Sequence, residues 1–229
     1  MQSVTFYHVA DHAVLVQLGN EISDALTERV QRLDRAINAS PPLGLRETVP
    51  AFVNLLAEFD PLVTDHHAIE AAIRDLFDAD DTGKIVGVLR TVQVCYDDDL
   101  APDLAAVSSA VNLSQEAVIN THLNAEYTVG MYGFAPGYAY LSGVPAALQL
   151  PRKTAALRDI AAGSVLIAGP QCLVTTLTMP TGWSIIGRSS TEILTHDPDR
   201  PFLFDVGDRV RFQRIDRSTF EAQTKEVLI

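Results

Sequence analysis

The hydrophobic pattern of this chain changes near residue 127, and this change most constrains its fold. Before it, residues 86–96 predict one long strand and residues 97–127 predict two short helices. From Tyr127 onward the helical period is lost, and short apolar segments follow, most of them separated by turn residues. These segments are 127–134, 163–169, 172–178, 183–187, 192–196, 202–204 and 208–215. Many short strands with turns between them are typical of a β-barrel or a β-sandwich.

Residues 1–83 alternate strand and helix signals. Two short strands form a predicted hairpin, and a helix, a third strand and a second helix follow. The segments are 3–9, 12–19, 23–40, 49–61 and 64–83. This order predicts a small α+β domain with both helices on one face of a sheet. The acidic run from Asp78 to Gly83 predicts a linker, so a second domain is expected at 84–229.

Residues with short polar side chains mark the predicted helix starts, because such a side chain can accept a hydrogen bond from a free backbone N–H. Ser23 or Asp24 is expected to cap the first helix, and Thr64 or Asp65 the second. In the second domain, Ser114 is followed by Gln and Glu in the first turn, which predicts a third cap.

Composition argues against several classes of protein. The net charge is −12 and no basic stripe is present, so a nucleic-acid partner is not expected. Cys95 and Cys172 each lie in an apolar run with no Cys/His spacing of a zinc site, so we expect buried reduced thiols and no metal. The N-terminus lacks the pattern of a signal peptide, and no apolar run approaches the roughly 18 residues of a membrane span. These features predict a cytoplasmic protein without a membrane partner.

Positive charge is unevenly distributed. From Thr91 to Pro151 there is no Lys or Arg, then Arg152, Lys153 and Arg158 follow within seven residues, and Arg188 comes next. One interpretation is that the cations are reserved for a single site. The other is that they are ordinary surface residues on a solvated loop.

The segment 132–143, YGFAPGYAYLSG, combines glycine, proline and aromatic residues. Pro136 restricts its own backbone and that of the residue before it, while Gly133 and Gly137 permit a positive φ. A kinked strand or a loop is therefore predicted. Its aromatic residues are Tyr132, Phe134, Tyr138 and Tyr140. They can line a binding site or belong to the core of the barrel, and their spacing alone leaves both interpretations open.

Three other residues are candidates for chemistry. His122 ends a predicted helix, where the negative end of the helix dipole favours the imidazolium, although a lone histidine is more often structural. Gln171 begins a strand, where its amide can bind a carboxylate or an amide. Trp183 lies between a Pro-Gly turn and a strand, as a core residue or as part of a site. The sequence has no P-loop, GxGxxG, GxSxG or HExxH motif.

Joined in order, several segments resemble the Kip-inhibitor family, whose members include components of 5-oxoprolinase, allophanate hydrolase and urea carboxylase. The segments are 49–61, 92–122, 127–145, 151–169, 182–189 and 207–212. The resemblance covers nearly the whole chain. It implies an α+β N-terminal domain followed by a cyclophilin-like β-barrel. It also implies one subunit of a heteromeric, ATP-dependent hydrolase or carboxyltransferase-like complex that acts on a small lactam or urea-type substrate, most like the B-type subunit of 5-oxoprolinase.

The partners implied by the resemblance are a C-type subunit of the Kip-A kind and, in 5-oxoprolinase, a third subunit of the LamB/YcsF type. The active site is implied to lie between two barrels. Catalytic roles carry over to His122 as acid or base, and to Arg158 and Gln171. Substrate-binding roles carry over to Phe134, Pro136, Gly137, Tyr138, Arg152, Gly182 and Trp183.

The chain departs from the family pattern at Leu157, Thr175, Met179 and Thr181. Several of these changes are expected on strands that face the site, where they would reshape a pocket and change its substrate. Two alternative functions remain open at this point. One branch of the family inhibits a sensor histidine kinase, and a barrel that binds a small ligand on its own would need no partner.

Overall fold

A computed structural model describes residues 4–78, 87–195 and 197–226. The chain divides into two compact units, Met1–Val86 and Gly87–Ile229. The predicted linker lies outside the described residues from position 79 onward, and so does the predicted domain boundary after residue 83.

The first unit is a four-stranded antiparallel sheet in the order β1-β2-β4-β3, with two helices. Its elements are β1 (Thr5–Val9), β2 (Ala13–Gln17), α1 (Asp24–Ala39), β3 (Leu45–Pro50), β4 (Asn54–Phe59) and α2 (His66–Asp78). One apolar cluster joins alternate residues of β2 and β4 to residues of both helices. Both helices therefore cover the same face of the sheet, as predicted.

For each helix of this unit, one of the two predicted capping residues is the N-cap. The Oγ of Ser23 accepts a hydrogen bond from the backbone N–H of Leu26 at 3.3 Å. The carboxylate of Asp65 accepts one from the N–H of Ala68 at 2.9 Å. Asp24 and Thr64 are thus not the caps.

The strand predicted at 49–61 is present as β4, at Asn54–Phe59, but the sequence did not predict β3, which precedes it and pairs with it as a hairpin. Strand β3 ends at Pro50, and the N–H of Ala51 donates to the carbonyl of Asn54 at 2.8 Å, which closes the turn. Strand β3 lies at the edge of the sheet and is largely exposed. It therefore lacks the alternation of apolar and polar residues that predicts a half-buried strand.

The second unit contains a closed barrel of seven strands in the order β10-β7-β6-β13-β5-β12-β9. Its elements are β5 (Leu89–Cys95), α3 (Leu104–Val111), α4 (Gln115–Leu123), β6 (Tyr127–Tyr132), β7 (Ala139–Ser142), a 3-10 turn (Ala146–Leu148), β8 (Leu157–Ile160), β9 (Ser164–Ala168), β10 (Gln171–Val174), β11 (Met179–Thr181), β12 (Ser184–Ser189), β13 (Arg209–Arg214) and α5 (Arg217–Glu226). Among the described barrel strands, β5 and β13 pair in parallel and the other pairs are antiparallel. The predicted fold class, an α+β unit followed by a mainly-β barrel, is confirmed.

Strands β8 and β11 pair with each other outside the barrel. On β9, Val165 and Ile167 belong to the cluster inside the barrel, whereas Leu166 and Ala168 belong to a second cluster. That second cluster comprises Tyr138, Leu166, Ala168, Leu173, Trp183 and Ile185. Ile160 of β8 and Met179 of β11 pack against it, so this ribbon covers one outer side of the barrel.

Two predicted strands, at 192–196 and 202–204, are wrong as strands. They contribute one isolated bridge, between Leu194 and Phe202, and residue 196 lies outside the described part of the chain.

The predicted cap of α4 is confirmed, because the Oγ of Ser114 accepts from the N–H of Ala117 at 3.1 Å. None of the described helices is long and apolar enough to cross a bilayer. Within the same residues, no three His, Cys, Asp or Glu side chains are grouped to hold a metal ion.

Candidate functional site

The segment between β6 and β7 is a tight loop, as predicted. Phe134 has a φ of +73° and Gly137 a φ of +72°. A side chain at position 137 would also collide with Leu194, since a Cβ there would lie 2.7 Å from the Cδ2 atom of Leu194. The hydroxyl of Thr176 donates to the carbonyl of Pro136 at 2.6 Å. The loop therefore packs closely on the segments that carry Thr176 and Leu194.

The four aromatic residues of this segment have different surroundings, so neither of the two open interpretations holds for all of them. Tyr132 stacks on Phe202 with ring centroids 5.2 Å apart. Tyr138 is buried in the outer cluster, and Tyr140 meets the ring of Trp183 edge-on at 5.9 Å. Phe134 is 70% exposed, so it is the one of the four that is available to a ligand or a partner.

Arg152, Gly182 and Trp183 come together beside this loop. The guanidinium carbon of Arg152 lies 5.4 Å from the ring centroid of the buried Trp183, in cation–π geometry. The backbone N–H of Lys153 donates to the carbonyl of Gly182 at 2.7 Å. This hydrogen bond holds the segment that carries Arg152 against the turn that carries Trp183.

The same segment is fixed by an ion pair that the sequence did not reveal. The Nζ of Lys153 lies 2.5 Å from the carboxylate of Asp103, and both side chains are largely buried, with 24% and 18% exposed. The same carboxylate oxygen accepts a hydrogen bond from the N–H of Ile185 at 2.7 Å. Asp103 precedes helix α3 and resembles an N-cap in sequence, but its side chain makes no capping bond. It joins α3, β12 and the Arg152 segment instead.

We expect Asp103→Asn to destabilise the second unit by about 1–3 kcal/mol, because it leaves the Lys153 ammonium half-buried without a counter-ion. Urea unfolding followed by the fluorescence of Trp183, the only tryptophan of the chain, measures the effect in this unit. Glu116→Gln is the matched control, since it removes a carboxylate paired with Arg214 on the surface and is expected to cost less than about 1 kcal/mol. Equal effects of the two substitutions would contradict the role of Asp103.

Arg158 and Gln171 lie apart from this group. Arg158 is exposed on β8. Gln171 begins β10, next to Ser142 of β7 and Ala168 of β9, and Thr175 follows the other end of that strand. The structure therefore does not bring the three predicted catalytic residues into one constellation.

The arginines of the second unit fall into two groups. Six of them form ion pairs with described carboxylates: Arg90, Arg200, Arg209, Arg211, Arg214 and Arg217. Arg152, Arg158 and Arg188 have no carboxylate within ion-pair distance among the residues that the structure describes. No carboxylate in contact neutralises these three guanidinium groups, and a guanidinium fork matches the oxygens of a carboxylate or a phosphate, so they are the arginines suited to an anionic ligand.

His122 lies inside the barrel, which corrects one expectation. Its side chain is fully buried, with Nδ1 2.8 Å from the hydroxyl of Tyr96 and Nε2 3.8 Å from the sulfur of Cys172. Its ring packs on Phe212 with centroids 4.3 Å apart. Burial lowers the pKa of His122 to about 3, so the expected imidazolium is wrong, because desolvation outweighs the helix dipole. A neutral and fully buried imidazole cannot exchange protons with a substrate in solution, so we interpret His122 as a core residue and not as a catalytic one.

A cavity of about 560 Å³ opens at one end of the barrel. It is lined by residues 162–163, 175–176 and 188–194 and by Phe220 and Thr224 of α5. None of the ten predicted site residues lines it. The loop at 133–138 packs against the wall of the cavity, since Pro136 and Gly137 contact the lining residues Thr176 and Leu194.

Comparison with known families decides the family of this chain. Residues 4–204 match the family described as carboxyltransferase domain, subdomain C and D. The chain belongs to this family. A protein named as the B-type subunit of 5-oxoprolinase, from Bacillus subtilis (strain 168), is 32% identical over 229 residues, which cover 95% of this chain and 95% of that protein. A protein of the same name from Escherichia coli O157:H7 is 32% identical over 215 residues, 93% of this chain and 96% of that protein.

A solved structure shows the same fold at lower identity. The crystal structure of K. lactis urea amidolyase superimposes with a TM-score of 0.80 at 17% identity, over 97% of this chain and 15% of that protein. The family resemblance inferred from the sequence segments is confirmed by these comparisons.

The departures from the family pattern have two locations. Leu157 pairs with Thr181, and Met179 with Ile160, so three of the four changes lie on the outer ribbon β8–β11. The fourth, Thr175, lines the cavity and is buried. Its hydroxyl accepts from the N–H of Ser164 and donates to the carbonyl of Ala161, both at 2.9 Å. A threonine here therefore holds the turn between β8 and β9.

The cavity leaves no pattern in the sequence, because four separate parts of the chain form it. Arg188 attracted attention only as one of the few cations in this part of the chain, and α5 was not predicted at all. The one signal in the sequence was the charge distribution, because Arg188 follows the stretch from Thr91 to Pro151 that has no Lys or Arg.

Proposed function

We propose that this chain is one subunit of a heteromeric, ATP-dependent hydrolase that opens a small lactam or cleaves a related urea-type substrate, most like 5-oxoprolinase. The observation that carries the proposal is the 32% identity, over 95% of both lengths, to a protein named as the B-type subunit of 5-oxoprolinase. A match along whole chains supports a shared role better than a shared domain does, because it includes both units of this chain.

The surface beside the loop at 133–138 supports this assignment. Beside this loop, Arg152 over Trp183 has a guanidinium suited to a carboxylate or a phosphate, whose oxygens match the guanidinium fork. Arg158 offers a second unpaired guanidinium, exposed on β8. Gln171 remains a candidate for the substrate amide, although it lies at the far end of β10. We propose no step for ATP on this chain and assign its use to the complex.

Exposed apolar side chains support a partner on this surface. Phe134 is 70% exposed, and Leu157 and Leu177 are each 41% exposed. Side chains of this kind near charged groups are typical of a surface that another protein covers. We propose that the partner is a second barrel protein of the Kip-A type and that a third protein of the LamB/YcsF type completes the enzyme.

Reconstitution tests the proposal. The chain is co-expressed with one protein of the Kip-A type and one of the LamB/YcsF type, and ring opening of 5-oxoproline is measured with and without ATP. We expect turnover only when all three proteins and ATP are present. Absence of turnover across lactams and ureas by a complex that does assemble would contradict the proposal, and so would stable capture of a histidine kinase by this chain.

Arg158→Gln is expected to reduce kcat/KM of the reconstituted enzyme by about 10- to 100-fold, the value of one charge-assisted hydrogen bond. Because Arg158 is exposed and unpaired among the described residues, the melting temperature of the variant is expected to change by less than about 2 °C. Arg214→Gln, which removes an arginine paired with Glu116, serves as the control and is expected to keep full activity. Parental activity of Arg158→Gln would exclude this residue from the site.

A further inference from the structure

The cavity at the end of the barrel carries an inference that does not depend on the proposed activity. Its volume of about 560 Å³ lies within the range of roughly 300–1,000 Å³ that small-molecule sites occupy. Four separate segments meet around it, and three of them belong to barrel strands or to turns fixed by backbone hydrogen bonds. Such a site is largely formed before a ligand arrives.

The guanidinium of Arg188 is the cationic group of the lining. Its Nε donates to the carbonyl of Ala162 at 3.1 Å, and this bond fixes the side chain at the cavity. Its terminal nitrogens have no hydrogen-bond partner among the described residues. Asp99 lies near enough to act on Arg188 electrostatically, but its carboxylate is held by Arg217 at 2.6 and 2.9 Å. Half-burial lowers the pKa of Arg188, because partial desolvation disfavours the charged form.

Two hydroxyl groups add further donors. The Oγ of Ser189 accepts from the N–H of Thr191 at 3.0 Å, and the Oγ1 of Thr191 accepts from the N–H of Gln93 at 2.9 Å. Each oxygen is thus used as an acceptor, while its own O–H is not donated to any described residue. The other lining hydroxyls, of Thr175, Thr176, Ser190 and Thr224, donate to protein oxygens. The lining therefore offers a guanidinium and two hydroxyl donors to a ligand.

The charge balance and the apolar lining define the class of ligand. The carboxylate of Glu192 also lines the cavity, and Arg188 is the single cation among the described lining residues, so a polyphosphate would meet too little positive charge. Ile193, Leu194 and Phe220 provide apolar surface beside the donors. We infer that this cavity is a binding site for a small monocarboxylate, with the carboxylate held by Arg188, Ser189 and Thr191 and the apolar part against Ile193, Leu194 and Phe220.

Titration of the isolated, isotope-labelled chain tests this inference by NMR. The probes are 3-methylbutanoate and 5-oxoproline, each compared with its neutral counterpart, 3-methylbutanamide or 2-pyrrolidinone, and with inorganic phosphate. We expect at least one carboxylate to shift the resonances of 188–194 and of the Arg188 side chain, and to bind at least tenfold more tightly than its neutral counterpart and than phosphate. Equal binding of the neutral compound or of phosphate, shifts confined to other regions, or no binding of either carboxylate would overturn the inference.

Substitutions locate the site. Arg188→Gln is expected to weaken carboxylate binding by about 10- to 100-fold, the value of a charge-assisted hydrogen bond, while Arg211→Gln removes an arginine paired with Glu126 and is expected to have no effect. If Arg188→Gln does not fold, Thr224→Phe keeps the arginine and places a ring at the cavity from α5, and it is expected to abolish binding. Unchanged binding in either folded variant would contradict the assignment. Because the readout is binding to the isolated chain, its result is separate from turnover by the reconstituted complex.

Discussion

Lowering the pH from 7 to 5 is expected to destabilise the second unit by about 2 kcal/mol through His122 alone. The pKa of His122 falls from an ordinary value near 6.5 to about 3 in the folded barrel, because the ring is fully buried between Tyr96, Cys172 and Phe212. Between these two pKa values the unfolded chain binds a proton that the folded chain excludes. Stability is therefore retained above pH 6.5 and is lost as the pH falls below it, by about 1.4 kcal/mol for each unit.

The measurement is urea unfolding followed by Trp183 fluorescence at several pH values, for the parent and for His122→Gln. The variant loses stability at pH 7, because glutamine does not replace the packing of the ring on Phe212. The informative quantity is the slope with pH, since we expect the parent to lose about 2 kcal/mol more than the variant between pH 7 and 5. His67→Gln, which removes an exposed histidine of the first unit, controls for the loss of one imidazole. Parallel slopes for parent and His122→Gln would contradict a neutral buried imidazole.

Gly163→Ala is expected to destabilise the second unit by about 3 kcal/mol. Gly163 has a φ of +82°, and a Cβ at this position would lie 2.4 Å from the carbonyl oxygen of Ser189. The backbone cannot shift easily, because the N–H of Gly163 donates to Thr175 and the N–H of Ser189 donates back to Gly163, both at 2.7 Å. The same substitution narrows the cavity, so carboxylate binding is expected to weaken with it.

Gly169→Ala is the matched control for this prediction. Gly169 has a φ of +52°, but an added Cβ there meets no atom within 4 Å. Gly169→Ala is expected to lower the free energy of unfolding by about 1 kcal/mol, which is the cost of a positive φ for alanine without any steric conflict. The difference between the two variants in urea unfolding thus measures the steric conflict with Ser189. If both variants lose the same free energy, the backbone around Gly163 is not as closely packed as the structure shows.

Most helices and strands could be predicted from the sequence, because the elements that form the core are amphipathic. Helices α1 to α4 were predicted, three of them with their caps, and most strands of the barrel were predicted from short apolar segments. Three elements that were not predicted, β3, β8 and α5, share a different property. Strands β3 and β8 are largely exposed, and α5 carries charged side chains such as the Arg217–Glu221 pair. None of the three therefore shows the regular spacing of apolar residues by which a helix or a strand is predicted.

The family, too, could be inferred from the sequence, since its segments follow in order along nearly the whole chain. The roles of single residues could not. His122 and Gln171 each stood at the end of a predicted element, a position that does not say whether a side chain faces the core, solvent or a cavity. No role was predicted for Asp103, whose carboxylate pairs in the structure with Lys153, 50 residues further along the chain.

By itself, the sequence determined that this protein has an α+β unit followed by a β-barrel, and that no Lys or Arg occurs between Thr91 and Pro151. Local periodicity and turn residues are sufficient for that, because they act between near neighbours in the chain. Only the tertiary structure decided which groups are available for chemistry. Closing the barrel enclosed His122 and lowered its pKa, and it brought Arg188 to a cavity formed from distant segments. Burial and ion pairing depend on residues far apart in sequence, so no local pattern could show them.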